Sequence, residues 1–130
     1  MLQAIAMDKP HKKLTVWKEA IELTKQVYSS TDAFPSEERF GLISQMRRAA
    51  VSIPSNIAEG AARKGKSQFR LFLSMAQGSL SELDTQVELA ISLGYLKRND
   101  LDGLEERMLK IDKMLSGLIR SLSKETKDSG

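Results

Sequence analysis

Apolar residues recur at intervals of three and four along most of this sequence, and that interval is the strongest constraint on its fold. Seven of them step alternately by three and four: Leu101, Leu104, Met108, Ile111, Leu115, Leu118 and Leu122. This is the heptad spacing of a helix that packs along one face. Similar stripes occupy residues 14–31, 36–62 and 67–93, and no alternating stretch favours a strand. The sequence therefore predicts an all-α fold, an up-down-up-down, left-handed four-helix bundle.

Polar segments flank these stripes and set the predicted domain boundaries. Residues 1–13 predict a flexible N-terminal arm, residues 14–123 the four-helix bundle, and residues 124–130 a flexible tail. A chain of 130 residues fits one such domain. Ser36 is expected to cap the second helix, and Asn99 or Asp100 the fourth, because short polar side chains accept hydrogen bonds from the unpaired backbone N–H groups of a first turn.

Pro54 lies inside the apolar stripe of the second helix. A proline removes one helical hydrogen bond and frees the carbonyl four residues earlier, here that of Ala50. The helix either kinks at Pro54 or stops near it, and the stripe that resumes in phase at Ile57 favours a proline-kinked second helix. The freed carbonyl needs a donor, which Asn56 or an arginine could supply.

Composition excludes several classes of chemistry. The chain has no cysteine and one histidine, so it offers no disulfide, thiolate metal site or histidine cluster. The carboxylates of residues 82–88 lack the Glu-x-x-His pairs of a di-metal bundle, and the serines beside Pro54 lack a neighbouring base. We expect no enzymatic activity, no metal, no cofactor and no small-molecule substrate. No segment resembles a signal peptide or a membrane span, so a cytoplasmic protein without a membrane partner is predicted.

Charge is concentrated in the middle of the chain, although the net charge is only +3. Residues 44–72 hold one acid and six bases, namely Arg47, Arg48, Arg63, Lys64, Lys66 and Arg70, whereas residues 73–96 hold three acids and no base. Clustered bases are typical of surfaces that bind nucleic-acid phosphates. The alternative is a solvated helix end whose arginines pair locally, as Glu59 and Arg63 could at a spacing of four.

The third and fourth helices have wider apolar faces than a 130-residue monomer needs. Exposed apolar surface of that size usually marks an interface, so self-association is expected. Gly78 and Gly117 lie inside these helices, where glycine costs about 1 kcal/mol relative to alanine. Close helix packing would explain both.

Three stretches carry a family resemblance: LTVWKEAIELTKQVY (14–28), RRAAVSIPSNIAEG (47–60) and GSLSELDTQVELAISLGYL (78–96). They resemble the bacterial four-helix-bundle proteins encoded in intervening sequences of 23S rRNA genes, sometimes labelled a ribosomal-protein family. The family is similar to the accessory variability proteins of diversity-generating retroelements, which engage nucleic acid and a reverse transcriptase. The resemblance implies a ribosome-associated, RNA-binding homopentamer of unknown function and no catalytic residue.

Two hypotheses follow from the residues and the resemblance together. The first is a non-enzymatic, self-assembling bundle that binds RNA or other nucleic acid through the six bases of residues 44–72, arranged on a homo-oligomeric, pentameric ring. The second is a protein-interaction scaffold, or a reverse-transcriptase accessory-like subunit, in which the basic segment meets Glu82, Asp84 and Glu88 of another subunit or a partner protein. Under both hypotheses the expected structural or interface residues are Pro54, Asn56, Glu59, Gly60, Gly78, Glu82 and Gln86.

Overall fold

Four α-helices form the fold of this computed structural model, which describes the backbone of residues 6–129 and the side chains of residues 6–124. They are α1 (Thr15–Thr31), α2 (Leu42–Ala62), α3 (Lys66–Ser92) and α4 (Leu104–Ser129). Helix α2 packs against α1 and α3, and α4 packs against α3 and α1, so the four helices enclose one core. Within the described residues there is no strand, which confirms the all-α four-helix bundle. The up-down-up-down order and the left-handed twist stay predictions.

The core is built from the residues that the helical spacing selects. Each helix buries a stripe at intervals of three and four: for example Ala20, Leu23 and Val27 on α1, Met46, Ala50, Ile53 and Ile57 on α2, Leu73, Ala76, Leu80, Leu83 and Val87 on α3, and Leu104, Met108, Ile111 and Leu115 on α4. Aliphatic side chains and alanines dominate this set, so the hydrophobic effect holds the helices together along their lengths.

Helix α2 continues through Pro54 to Ala62, so the proline does not end the helix. The donor to the freed carbonyl of Ala50 comes from α1, where the Thr24 hydroxyl lies 3.2 Å from it and 2.8 Å from the carbonyl of Ala20. The expectation that Asn56 or an arginine would donate to Ala50 is wrong. Asn56 instead donates to the Ser52 carbonyl at 2.9 Å, because it lies on the side of α2 that faces α3.

Two helices begin later than the capping residues predicted. Ser36 lies in a short 3-10 helix, Ser36–Glu38, and α2 begins at Leu42, where the Glu38 carboxylate accepts the backbone N–H at 3.2 Å. Asn99 and Asp100 lie in a second 3-10 helix, Arg98–Asp100, and α4 begins at Leu104. The chain enters α4 through Gly103 with φ +81°, a left-handed conformation that glycine adopts without strain.

The two connections α1–α2 and α3–α4 meet at one end of the bundle. The Tyr95 hydroxyl donates to Glu38 at 3.1 Å, and the rings of Tyr95 and Phe34 lie 5.4 Å apart. The hydrogen bond to the Glu38 carboxylate raises the pKa of Tyr95, because the phenol must stay protonated to donate. These contacts fix one connection against the other, and we refer to this end of the molecule as the hairpin end.

The predicted arm and tail fall partly outside the described residues. Residues 1–5 and Gly130 lie outside them, as do the side chains of residues 125–129. Residues Pro10–Lys13 form a 3-10 helix, and the His11 ring lies edge-on to Trp17 at 4.9 Å. Helix α4 runs past Leu122 to Ser129, since the Ser, Lys and Glu residues there are compatible with a helix although they extend no apolar stripe.

Candidate nucleic-acid interface

A turn of three residues, Arg63, Lys64 and Gly65, joins α2 to α3. Gly65 has φ +101°, which a residue with a side chain rarely adopts, so glycine allows the chain to reverse so sharply. The two helices also approach closely beside the turn. A Cβ on Gly60 would lie 2.7 Å from the Cβ of Phe72, a distance that real side chains do not tolerate. Gly60 therefore allows α2 and α3 to pack closely beside the turn, at the end of the bundle opposite the hairpin end.

Four of the six predicted bases are gathered at this turn. The Arg63 guanidinium pairs with Glu59 at 2.8 Å and lies over the Phe72 ring at 5.0 Å from its centroid. Lys64 is exposed and has no ion pair or hydrogen bond within the described residues. Lys66 is exposed in the first turn of α3, and Arg70 contacts the Ser123 hydroxyl of α4 at 3.4 Å. No acid occurs between residues 60 and 81 of the sequence.

Helix α4 adds two bases that sequence reasoning missed. Arg120 and Lys124 are exposed and line a shallow depression with Ser123, the residue that Arg70 contacts. The predicted helix order could have indicated them, because short connections between antiparallel helices place the end of the fourth helix beside the start of the third. We call Arg63, Lys64, Lys66, Arg70, Arg120 and Lys124 the basic end.

Arg47 lies outside the basic end and is occupied by contacts within the bundle. Its guanidinium donates to the Thr31 hydroxyl at 2.9 Å and to Asp32 at 3.0 Å, and it lies 4.5 Å from the Tyr28 ring centroid. It also donates to the Tyr28 carbonyl in the last turn of α1, which has no helical amide partner. Arg47 thus ties α2 to the C-terminal end of α1.

Arg48 is also separate from the basic end. It is exposed on α2, and within the described residues it has no ion pair or hydrogen bond. Fifteen residues of helix separate it from Arg63, a distance of about 22 Å along the axis. The structure therefore divides the six predicted bases into a group of four at the turn, one structural arginine and one isolated arginine.

The three acids of α3 do not form one surface. Glu82 accepts a hydrogen bond from Gln86 at 3.3 Å. Asp84 lines a groove between α3 and α4, of about 270 Å³. Glu88 pairs with Arg98 at 2.8 Å, and this carboxylate raises the pKa of Arg98. The scaffold hypothesis expects one basic segment to contact all three acids. That segment would have to contact more than one side of α3 to reach them all.

The predicted structural residues lie mainly along the seam between α2 and α3. The Ser52 and Ser79 hydroxyls are 2.8 Å apart, and Asn56 donates to Ser52 as well. Gln86 is 4% exposed, and its Oε1 has no hydrogen-bond partner among the residues that the structure describes. Gly78 is different, because a Cβ there would meet nothing within 4 Å. Close packing inside the chain therefore explains Gly60 but not Gly78.

Neither a metal-binding cluster nor a membrane-spanning helix occurs in the described part of the chain. Among those residues, no three His, Cys, Asp or Glu side chains are close enough to hold a metal ion. None of the described helices is long and apolar enough to cross a membrane.

Comparison with known proteins decides the family. The model of the 23S rRNA-intervening sequence protein family matches residues 12–117, which is most of the chain. The protein belongs to this family. No curated protein matches the chain.

A solved structure shows the same fold as this family member. It is a protein of unknown function from the S23 ribosomal protein family of Bacteroides thetaiotaomicron VPI-5482. The TM-score is 0.72 at 22% sequence identity, and the match covers 81% of this chain and 98% of the other. At that identity the likeness supports the helical bundle and nothing finer. Neither comparison names an enzyme family.

Proposed function

We propose that this protein is a non-enzymatic, self-assembling bundle that binds RNA through its basic end. The observation that carries the proposal is the meeting of six bases from the α2–α3 turn, α3 and α4 at one end of the molecule. Arg63 pairs with Glu59, whereas Lys64 has no ion pair or hydrogen bond within the described residues. Such cations bind the phosphate oxygens of nucleic acids. Their binding releases the counterions that surround the nucleic acid, and this release adds to the affinity.

A homopentameric ring, which the family resemblance implies, would strengthen this interaction. In a closed ring all subunits are equivalent, so every basic end lies on the same face of the ring. Binding of one subunit to a flexible RNA then raises the effective concentration of the RNA at its neighbours. We place this assembly in the cytoplasm, in association with ribosomal RNA.

The test is the affinity for a structured RNA over a series of salt concentrations. We expect log K to fall linearly with log salt, because each neutralised phosphate releases counterions. The variant Arg63→Ala, Lys64→Ala, Lys66→Ala should lower the slope by about two units if each cation contributes about 0.7 to it. The matched control, Lys18→Ala, Lys25→Ala, Lys97→Ala, removes the same charge away from the basic end and should keep most of the slope.

Three outcomes would overturn the proposal. Affinity that does not weaken with salt would exclude phosphate binding as its source. Equal effects of the two triple variants would show that net charge, and not the basic end, determines affinity. Absence of RNA binding by the native protein would favour the scaffold hypothesis.

A further inference from the structure

A groove between the first two helices contains the single tryptophan of the chain. Its volume is about 330 Å³, near the lower limit of ordinary ligand pockets, so it suits one small ring system and not a large ligand. We call it the tryptophan groove. Its lining is mainly apolar and includes His11, Trp17, Val51, Pro54, Ser55 and Ala58.

Trp17 gives this groove a flat aromatic wall. The indole packs partly against the core and is partly exposed. The His11 ring lies 4.9 Å from it with the two planes inclined at 62°, so these two rings are not stacked in parallel. Unpaired nucleobases stack on aromatic side chains of this kind, because every base has a flat π-face. The wall is therefore suited to a base.

The tryptophan groove also has a hydroxyl that the fold does not use. The Thr24 hydroxyl is engaged, since it contacts the carbonyls of Ala20 and Ala50 at 2.8 and 3.2 Å. Ser55 is exposed, and its hydroxyl makes no hydrogen bond within the described residues. A hydroxyl both donates and accepts, so Ser55 can pair with the edge of any base.

Cations border the tryptophan groove on the N-terminal side. Residues 8–13 contain three lysines and one acid. The 3-10 helix Pro10–Lys13 packs against α1 and α2, which places these lysines beside the groove. The side chains of Lys9 and Lys13 are exposed and have no ion pair or hydrogen bond in the part of the chain that the structure describes, and Lys12 donates to a backbone carbonyl at 2.6 Å. Phosphates on either side of a bound base would meet positive charge here.

Small side chains connect the tryptophan groove to the basic end. Ala58 and Ala62 follow Ser55 at intervals of three and four, so the three residues share one face of α2. Arg63, the first residue of the basic end, comes directly after Ala62. The rise along the helix from Ala58 to Arg63 is about 8 Å. A single RNA strand bound at the basic end can therefore extend along this face into the groove.

We propose that the tryptophan groove holds an unpaired base of the RNA that the basic end binds, with the base stacked on Trp17 and hydrogen-bonded to Ser55. This contact rests on the proposed function, because the same RNA makes it, and it adds the class of RNA. Bases inside a duplex are stacked on one another and do not enter such a groove. The protein therefore selects single-stranded or looped RNA over duplex RNA.

The emission of Trp17 tests the stacking directly, because no second tryptophan contributes to it. Three RNAs of equal length are compared: a single strand, a fully paired duplex, and a strand that keeps its phosphates but lacks bases. We expect the single strand to quench the emission. The duplex and the strand without bases should bind through their phosphates and leave the emission unchanged. The affinity of each is measured separately with a fluorescent label on the RNA, away from the tryptophan signal.

A pair of serine variants tests the position of the base. Ser55→Glu places a carboxylate in the tryptophan groove and should lower the affinity for the single strand by about tenfold, the contribution of one stacked base. Ser81→Glu makes the same change at an exposed serine of α3 and is the matched control, which should keep the native affinity. Trp17→Leu removes the flat ring and should cause the same loss as Ser55→Glu. Circular dichroism verifies the folds, and the exposed Ser55 keeps the test valid if Trp17→Leu does not fold.

Any of three results contradicts a base in the tryptophan groove. The first is binding of the labelled single strand without a change in Trp17 emission. The second is equal quenching by the duplex and the single strand. The third is an equal loss of affinity in Ser55→Glu and Ser81→Glu. In each of these cases the native protein still binds RNA, whereas a failure of the proposed function would leave the labelled RNA unbound, so the two failures can be distinguished.

Discussion

Pro54 is tolerated inside α2 because a side chain of another helix replaces the hydrogen bond that it removes. The Thr24 hydroxyl lies 3.2 Å from the Ala50 carbonyl, at a position where the second and first helices touch. Thr24→Val keeps the shape of the side chain but leaves that carbonyl without a donor. We expect it to lower the free energy of unfolding by about 1–2 kcal/mol. Thr24→Ser, which keeps the hydroxyl, should lose less than half as much.

Urea unfolding followed by circular dichroism measures both variants. Equal losses for Thr24→Val and Thr24→Ser would mean that the loss of the methyl group matters as much as the loss of the hydroxyl. The donation to Ala50 would then contribute nothing measurable.

Gly60 and Gly117 give opposite predictions for the same substitution. Gly60→Ala places a Cβ 2.7 Å from that of Phe72, so overpacking should cost about 1–3 kcal/mol and outweigh the better helix propensity of alanine. At Gly117 a Cβ would meet nothing within 4 Å, so Gly117→Ala should stabilise the protein by about 1 kcal/mol. Thermal unfolding of the two variants checks the signs. Stabilisation by Gly60→Ala would show that α2 and α3 can move apart at the turn.

At the scale of the helices, Arg47 has a structural role that neighbouring Arg48 lacks. Arg47 donates to Thr31, Asp32 and the Tyr28 carbonyl, and so joins the end of α1 to α2. Arg47→Ala should lower the free energy of unfolding by about 1–2 kcal/mol, since the buried Thr31 hydroxyl loses its donor and the contacts that join α1 to α2 are removed. Arg48→Ala, its matched control, should stay within about 0.5 kcal/mol when measured on the monomer at low protein concentration.

The same pair of variants can be followed by RNA affinity. If Arg47 acts through the fold alone, Arg47→Ala should leave the salt dependence of RNA binding unchanged. A lower slope together with normal stability would contradict the structural role and place Arg47 at the RNA interface.

Helix number and buried faces could be predicted from the sequence, whereas helix starts and contacts between helices could not. A stripe such as Leu104–Leu115 predicts its own burial, because burial depends on spacing within one helix. The predicted start of α2 at Ser36 was wrong, because the helix begins at Leu42, whose backbone N–H donates to the Glu38 carboxylate. The preference of serine for capping positions does not indicate this contact. The donor to Ala50 likewise came from another helix, 26 residues away along the sequence.

In the candidate site, too, the features that are local in the sequence could be predicted, whereas contacts between helices could not. The sequence shows the basic turn as a cluster of bases, and the structure gathers four of them there: Arg63, Lys64, Lys66 and Arg70. Arg120 and Lys124 were missed because only the packing of α4 against α3 brings them to Arg70. The charge of Arg47 was evident in the sequence, but its partners Asp32 and Thr31 belong to the preceding connection and helix.

For the whole molecule, charge is separated along the axis of the bundle. The basic end gathers six bases, whereas residues 32–41 and 94–103, which form the connections of the hairpin end, contain five acids and three bases. The net charge of +3 combines the six bases of this end with an excess of two acids at the hairpin end and of one acid in the rest of the chain. A polyanion would therefore be oriented towards the basic end before contact, because long-range fields steer association. This orientation weakens as salt shortens the screening length.

The last prediction concerns the pH dependence of the bundle as a whole, which α1 and α4 close through Glu19. The Glu19 carboxylate accepts from Lys110 at 3.1 Å and from Arg107, and these cations lower its pKa below the ordinary 4.5, with burial acting in the opposite direction. A carboxyl whose pKa is lower in the folded protein than in the unfolded chain stabilises the fold at pH values above the unfolded pKa, and this contribution is lost as the pH falls through the folded pKa.

We expect the melting temperature to decrease as the pH falls below about 4.5 in the native protein, and to decrease less steeply in Glu19→Gln. Glu22→Gln, which removes an exposed carboxylate 3.4 Å from Lys25, is the control and should follow the native curve. Parallel acid limbs for the native protein and Glu19→Gln would show that the carboxylate between α1 and α4 does not set the acid stability.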